Sequence, residues 1–308
     1  MLTFSYTISP ALKQEIERIN ATRDKILLQM IPRKEEFQLR FETAIDRATY
    51  VSRLTSTKLK RQEILQAIDP TGKKSRETHD NAGYVRALEW VNQNWYLESK
   101  KVKADAVRKL MQEMAFRKNL DEKPINDALE FIQINPEHPI VQAGLGFLLL
   151  SQALPNDDKG IKLSSIISYI FMYKYGYDFR GMLCLEEFLT TDLDHFNALC
   201  DQAIRERNLS SYLEYFTQAV SICSEQALKK ITAHELKHDI PASFYELSER
   251  QKEIMALFIK PGIKVSNRLV QKEFKISQIT ASRDLAKLNT LGLIFQNGKG
   301  RSIYYTRI

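Results

Sequence analysis

Two histidines separated by three residues could hold a metal ion in the last third of the chain. His234, Glu235 and His238 match H-E-x-x-H, which on a helix places two imidazoles on one face for zinc and supplies Glu as a general base. A catalytic zinc ion needs a third protein ligand, and the residues that follow, through Pro241, offer no well-placed one. Lys237 beside a ligand would also repel the cation. We interpret this segment as a solvated helix end and predict no metal site.

Basic residues are concentrated at the C-terminal end of the sequence. Residues 249–308 contain twelve Lys and Arg against four Asp and Glu, a net charge of +8, whereas the rest of the chain contains 33 against 34. Such a concentration is typical of a module that binds a polyanion, because each neutralised phosphate releases condensed counterions. The alternative is a basic surface that only keeps the protein soluble.

The residues before this basic segment have the spacing of amphipathic helices. Apolar residues recur every three or four positions, for example in residues 33–54, 140–154 and 192–228, and strand-like alternation is nearly absent. Helix-ending Pro, Gly, Asp and Asn residues interrupt the pattern, the last break being Ile240-Pro241. We predict a mainly α protein with a helical domain at residues 1–240, comprising N-terminal helices in 1–100 and a core in about 101–240, and a small domain at 241–308.

The small domain has the pattern of a winged helix. Helices are predicted at residues 249–258, 266–274 and 277–291, and only Lys275-Ile276 separate the last two, which is a helix-turn-helix spacing. A strand at 293–295, a turn at 296–300 and a strand at 302–305 follow. Ser277 is a plausible N-cap of the third helix.

The third helix would enter the major groove of DNA, and the wing would touch the backbone. The candidate DNA-binding residues are Ser277, Gln278, Thr280, Ser282, Arg283 and Lys287 on the helix, with Lys299 and Arg301 on the wing. Some winged helices bind only protein, so protein docking remains an alternative.

Composition excludes several other classes of protein. With 44% apolar and 27% charged residues, the chain is neither disordered nor fibrous. The longest apolar run, residues 145–150, is far below the roughly 20 residues that span a bilayer, and residues 1–13 do not resemble a secretory signal. We expect a cytoplasmic protein without a membrane partner, in which Cys184, Cys200 and Cys223 are reduced, small core residues.

Several stretches resemble the Fic (Fido) family. His138-Pro139 through Leu150, followed by Pro155 and a helix from Ser164, looks like the helix leading into that family's signature loop. The other similar segments are residues 83–90, 185–188, 193–199, 205–207 and 212–216, and in the tail 280–285 and 298–305. The resemblance covers nearly the whole chain. It implies a Fic-like helical domain followed by the small winged helix-turn-helix domain that many members carry.

Members of this family mostly transfer AMP from ATP to a hydroxyl of a target protein. Their signature reads H-P-F-x-[DE]-G-N-G-R-x-x-R, in which the His accepts the proton of the attacking hydroxyl and the acid holds magnesium. The Gly-rich turn at a helix N-terminus cradles the phosphates, and the Arg residues pair with them. The resemblance aligns residues 154–165 with this signature.

The aligned segment departs from the signature at the positions that carry its chemistry. Leu154 stands for the His, Pro155 is kept, Asn156 stands for the Phe, Asp158 keeps the acid, Lys159, Gly160 and Ile161 replace G-N-G, and Lys162 and Ser165 stand for the two Arg. Leucine cannot accept a proton, and Lys159 and Ile161 carry side chains where glycines would let amides approach an anion. Aligning Asp157 as the acid restores no histidine. The remnant Leu154, Pro155, Asp158, Gly160 and Lys162 contains no catalytic residue, although Lys159, Lys162 and the helix start could retain some anion affinity.

Two further parts of the family pattern are missing. The resemblance aligns residues 52–56 with the family's inhibitory S-x-x-x-E-[GN] segment, and Thr55 lies near the Glu position. Only about eight residues separate the helices that end near Phe116 and begin near Ile125, too few for the β-hairpin flap that members usually insert there.

We interpret the chain as a catalytically degenerate Fic-like protein that needs no cofactor and binds duplex DNA as a transcriptional regulator. Its helical domain would be kept for dimerisation or for a protein partner. One alternative is an active or residual protein adenylyltransferase, which uses ATP with magnesium held by Asp157 or Asp158 and some other group as the base. The other is an interaction protein whose winged helix docks protein only. Charge placement favours DNA, because protein docking needs no +8 excess.

Overall fold

The structure, a computed structural model, describes residues 3–55, 58–68, 76–116, 118, 120–134, 137–233, 247–258, 263–291, 293–298 and 303–306. The chain divides into two compact units, residues 1–237 and 238–308. The sequence-predicted boundary at 240/241 and the H-E-x-x-H segment at 234–238 lie outside the described residues. In the described part of the chain no helix is long and apolar enough to cross a membrane.

The described part of the first unit is built from helices, as the periodicity predicts. They are α1 Pro10–Leu27, α2 Arg33–Val51, α3 Arg61–Ile68, α4 Arg76–Trp95, α5 Ala104–Glu113, α6 Glu122–Ile134, α7 Pro139–Ala153, α8 Asp158–Lys174, α9 Leu185–Leu189, α10 Leu193–Glu206 and α11 Ser210–Ala233. Short 3-10 helices lie at Ser52–Leu54 and Phe179–Gly181. The mainly α prediction is confirmed, although the sequence pattern missed α3 and α9, which are too short for a clear periodicity.

Helices α7 and α8 form the centre of this unit. Every side chain from Ile140 to Leu150 is buried, because α6, α8 and α11 all pack against α7. Two glycines allow these close approaches. A Cβ on Gly144 would lie 3.0 Å from side-chain atoms of α11, and one on Gly146 would lie 3.0 Å from the Phe171 ring of α8. The loop between α7 and α8, which the resemblance aligns with the signature, is therefore anchored on both sides by core helices.

The single helix predicted at 192–228 is wrong, because the chain breaks between α10 and α11. Arg207 ends α10 in the left-handed conformation, with φ +51°. The backbone groups freed by the break pair with the N-terminal segment: Ser5 N–H donates to the Arg207 carbonyl at 2.9 Å, and Leu209 N–H donates to the Ser5 carbonyl at 2.8 Å. A partner about 200 residues away stabilises the break, so local periodicity could not indicate it.

A buried carboxylate joins four helices of the first unit. Glu186 of α9 accepts hydrogen bonds from Tyr84 of α4 at 2.6 Å and from Ser165 and Tyr169 of α8 at 2.7 and 2.8 Å. The guanidinium of Arg47, from α2, lies 3.9 Å from Glu186 and stacks at 3.5 Å over the Tyr169 ring. Burial, followed by the charge of Glu186, raises the pKa of Tyr84 well above its usual value, so its hydroxyl remains a donor.

The cysteines of this unit are free. Cys184 and Cys223 are buried, as predicted, whereas Cys200 is only half-buried. Burial raises the pKa of Cys200 to about 12, so its thiol stays protonated at neutral pH.

The described part of the second unit contains three helices and a hairpin. They are α12 Glu249–Ala256, α13 Asn267–Phe274 and α14 Gln278–Thr290, followed by β1 Phe295–Asn297 and β2 Tyr304–Thr306. The strands are antiparallel, with Gln296 opposite Tyr305, and Val265 forms a further antiparallel bridge to Tyr305. Nine buried side chains from these elements and the segments beside them make a core within the described part of this unit.

The predicted position of the hairpin is wrong by about two residues. Gln296 and Asn297, expected in the turn, belong to β1, whereas Leu293 and Ile294 precede the strand. The cause is tertiary: Ile294 is buried in the core of the unit, and Leu293 N–H bonds the Leu288 carbonyl at the end of α14. The ladder therefore starts only at Phe295.

We expect Glu186→Ala to lower the free energy of unfolding by about 3–5 kcal/mol, because it leaves the Arg47 charge buried without its counter-charge. Urea denaturation followed by far-UV circular dichroism measures the change. Glu225→Ala, at an exposed position of α11, is the control and should change stability by less than about 0.5 kcal/mol. Equal stabilities of the two variants would contradict the role given to the buried carboxylate.

Candidate functional site

The loop aligned with the signature runs from the end of α7 to the start of α8. Leu154 is buried and closes α7, where its N–H bonds the Leu150 carbonyl at 2.9 Å. Its hydrocarbon side chain offers no atom that could accept a proton. Pro155 and Asn156 make the turn, and Asp157 is the N-cap of α8.

The amides at the start of α8 are already occupied by a carboxylate of the chain itself. Asp157 Oδ1 accepts hydrogen bonds from Lys159 N–H at 3.1 Å and Gly160 N–H at 2.9 Å, while Lys118 Nζ lies 2.5 Å from Oδ2. Partial burial raises the pKa of Asp157, but the hydrogen bonds from Lys118 and the two amides outweigh it and hold the pKa below its usual value. A phosphate at this helix N-terminus would have to displace a charged, well-bonded side chain.

Gly160 is required by the fold of the loop. A Cβ at this position would lie 1.9 Å from the Pro155 carbonyl oxygen, far inside van der Waals contact. The missing side chain thus lets the loop pack on the first turn of α8. The structure gives this glycine a reason to be present that does not involve a ligand.

The remaining polar residues of the segment are also engaged. Lys162 is buried, and Asp158, Lys159 and Lys162 each interact with other groups of the protein. The ammonium of Lys159 lies 5.8 Å from the centre of the Phe116 ring. Ser165, at the position of the last signature Arg, donates to Glu186 in the core. The segment therefore uses its charges and hydroxyls within the fold.

His138 lies too far from this loop to replace the missing histidine. The helical rise of about 1.5 Å per residue puts it roughly 24 Å from Leu154, at the other end of α7. There it caps the helix: its Nδ1 accepts from Ile140 N–H at 3.3 Å, and its Nε2 lies 3.0 Å from the Tyr177 hydroxyl. Burial lowers the pKa of His138 to about 4, so the ring is neutral at physiological pH.

The segments aligned with the inhibitory motif and the flap have local structural roles. Thr55, near the expected Glu position, is buried and donates to the Ser52 carbonyl at 2.8 Å. Residues 114–121 connect α5 to α6, and the described residues among them form no strand.

A pocket of about 230 Å³ lies beside this connection, between α5 and α6. Its charged lining is paired within the protein: Arg108 with Asp105 and Glu122, and Lys118 with Asp157. In the described part of the chain no group of three or more His, Cys, Asp and Glu residues is placed to hold a metal ion.

In the second unit, a tight turn joins α13 and α14. Lys275 ends α13 in the left-handed conformation, with φ +50°, and Ser277 is the N-cap of α14, accepting from Thr280 N–H at 3.2 Å. The N-cap prediction is confirmed. Asn267, at the start of α13, donates to the Ser282 hydroxyl at 2.7 Å and towards the Gln278 carbonyl at 3.4 Å. These bonds fix the first two turns of α14 against α13.

A buried ion pair sets which face of α14 points outward. Asp284 is buried and accepts from Arg250 Nε at 2.6 Å and from Gln251 Nε2 at 2.9 Å, both on α12. Leu285 and Leu288 enter the core on the same side. The opposite face of α14 is therefore presented away from the core of the unit.

The residues that the sequence predicts to contact DNA differ in how exposed they are. Gln278, Ser282 and Arg283 are exposed, whereas Thr280 and Lys287 are half-buried. Ser277 is exposed, but its hydroxyl is engaged with Thr280 in the cap. Lys299 and Arg301 lie outside the described residues. The sequence-based prediction did not include Ile279, whose side chain is 65% exposed on this face. The sequence does contain a signal for it, because an apolar residue at this position does not fit the helical spacing of the core residues Ala281, Leu285 and Leu288.

Comparisons with known proteins identify the fold. No family model matches the chain, and no curated protein matches it. Among solved structures it is similar to the crystal structure of a Fic family protein from Desulfovibrio desulfuricans G20, with a TM-score of 0.58 and 14% sequence identity over 98% of this chain and 97% of that one. At this identity the likeness concerns the fold, and the Fic-like fold predicted from the sequence is confirmed.

We expect Asp157→Ala to lower the free energy of unfolding by about 1–2 kcal/mol, because it removes the N-cap of α8 and the partner of Lys118. Asp157→Asn should cost less, since it keeps an acceptor for the two amides. Chemical denaturation measures both. Asp194→Ala, in the exposed first turn of α10 whose N-cap is Asp192, is the matched control and should have a smaller effect.

The difference between the wild type and Asp157→Asn should depend on pH. The folded-state pKa of Asp157 is depressed, so its stabilisation is present at neutral pH and is lost as the pH falls through about 4 and below. A difference that stays constant from pH 7 to pH 3 would contradict the capping role of the charge.

Proposed function

We propose that this Fic-fold chain is a DNA-binding regulator whose second unit binds duplex DNA and whose first unit no longer transfers nucleotides. The first unit would serve as a scaffold for dimerisation or for a protein partner. Such a regulator would act in the cytoplasm, on DNA present there. The observation that carries the proposal is the outward face of α14, which presents Gln278, Ser282 and Arg283 from a helix-turn-helix whose two helices are joined by the hydrogen bond from Asn267 to Ser282.

The chemistry of this face suits a base-paired duplex. Arg283 is exposed and has no carboxylate partner within the described residues, so its guanidinium is available for a phosphate or for guanine O6 and N7. Gln278, in the first turn, is a residue type that pairs with adenine N6 and N7. The net charge of +8 in residues 249–308 supplies the attraction to phosphates that positions a helix in the groove.

ATP and magnesium do not fit the loop between α7 and α8. The position for the proton acceptor is a buried leucine, and the amides that would hold phosphates bind Asp157 instead. Asp157 is committed to its cap and to Lys118, which counts against its use as a metal ligand in a residual transferase. We therefore derive no reaction at this loop.

Salt-sensitive binding of duplex DNA by the full chain tests the proposal. Fluorescence anisotropy should give an affinity that falls steeply as salt rises, and Arg283→Ala should weaken it by about 1–3 kcal/mol. Arg205→Ala, an exposed arginine on α10, is the matched control and should bind like the wild type. Absence of salt-dependent binding would overturn the regulator and favour the alternative of a protein-docking module.

Labelled ATP with magnesium tests the loss of transferase activity. We expect no transfer of label by the wild type, and none by Leu154→His, because the histidine alone leaves the amides filled by Asp157 and Ser165 bonded to Glu186. Transfer by the wild type that Asp158→Ala abolishes, and that the exposed control Asp201→Ala does not, would instead establish a residual adenylyltransferase.

A further inference from the structure

Ile279 occupies an unusual place for a large apolar side chain. It is the second residue of α14 and is 65% exposed, whereas the other exposed large apolar side chains in the described part of this unit, Phe295 and Ile263, are 43% and 36% exposed. The core contacts of α14 come from Ala281, Leu285 and Leu288 on the other side. A β-branched residue has no advantage for helix formation. Neither packing nor helix propensity explains an isoleucine here.

The neighbours of Ile279 on the helix surface define what it could meet. Residues three, four and seven positions on share its face, and these are Ser282, Arg283 and Ala286, all exposed. Ala286 is small, so this side of α14 can approach another surface closely. Arg283 gives the same face a positive charge. The occupant should therefore combine negative charge with a small apolar group recessed in a groove.

We propose that Ile279 recognises the C5-methyl group of a thymine in the major groove, and so makes an A·T pair part of the preferred DNA site. The proposal rests on the DNA-binding function proposed above. In helix-turn-helix proteins the N-terminal residues of the recognition helix contact the base edges, which is where Ile279 lies. The thymine methyl is the apolar group that bases present in the major groove, and apolar side chains read it by contact.

The structure also holds this side chain ready for the contact. Asn267 bonds both the Gln278 carbonyl and the Ser282 hydroxyl, so the turn that carries Ile279 is fixed against α13. An isoleucine has few χ1 rotamers in a helix. Little conformational entropy is then lost on binding, which favours a specific contact over a loose one.

The test begins with selection from a random duplex pool by the full chain at moderate salt, followed by replacement of each thymine in the enriched sites by uracil. Uracil lacks the methyl group but keeps the base pair with adenine. The replacement therefore tests the methyl contact without any change to the protein. At one thymine we expect the replacement to weaken wild-type binding about fourfold, the effect of losing one buried methyl contact. Ile279→Ala should weaken binding to the thymine site by a similar factor or more and should no longer distinguish thymine from uracil.

Ile263→Ala, the same change at a less exposed isoleucine outside the helices, is the matched control and should keep the discrimination. Thermal unfolding of both variants reports whether they fold like the wild type. If sites are enriched but no uracil replacement matters, or if Ile279→Ala still discriminates as the wild type does, the methyl contact is wrong and DNA binding stands. If no duplex is retained, the DNA-binding function itself fails, and with it this inference.

Discussion

The helical unit depends on one buried carboxylate, that of Glu186. Helices α2, α4, α8 and α9 meet around it, and three hydroxyl donors together with the Arg47 charge compensate its desolvation. One of these donors is Ser165, which the resemblance aligns with the last arginine of the Fic signature. The hydroxyl of this serine completes a hydrogen-bonded cluster that the fold needs. The arginine near this serine is Arg47 of α2, and the carboxylate of Glu186 neutralises its charge inside the core.

In the loop between α7 and α8, polar groups are likewise satisfied by other groups of the same chain. A helix N-terminus attracts an anion, and this chain supplies one from its own sequence, Asp157, which Lys118 also pairs with. The loop requires Gly160, because the Pro155 carbonyl leaves no room for a Cβ. The features that look like remnants of a nucleotide site are therefore explained by local packing and capping. These contacts support the scaffold role that we propose for the first unit.

The second unit has its own core and its own buried ion pair, Asp284 with Arg250. That pair turns one face of α14 inward and leaves Gln278, Ile279 and Arg283 on the other. A positive charge and an apolar side chain then occur together on one helix face. This combination fits the major groove, which presents hydrogen-bonding base edges and thymine methyl groups beside the phosphates. If the two proposals hold, affinity comes from the basic residues and part of the specificity from Ile279.

The sequence by itself determined the mainly α class and the helix-turn-helix with its Ser277 cap, because helix periodicity and caps are local properties. The sequence also resembles the Fic family, and the similarity of the structure to a solved Fic protein confirms the fold that this resemblance implies. Tertiary structure alone decided the break after Arg207, the start of β1 at Phe295, the partners of Glu186 and the pairing of Asp157 with Lys118. Each of these depends on which distant residue supplies a hydrogen-bond partner or covers a side chain, and a periodic pattern contains no information about partners far along the chain.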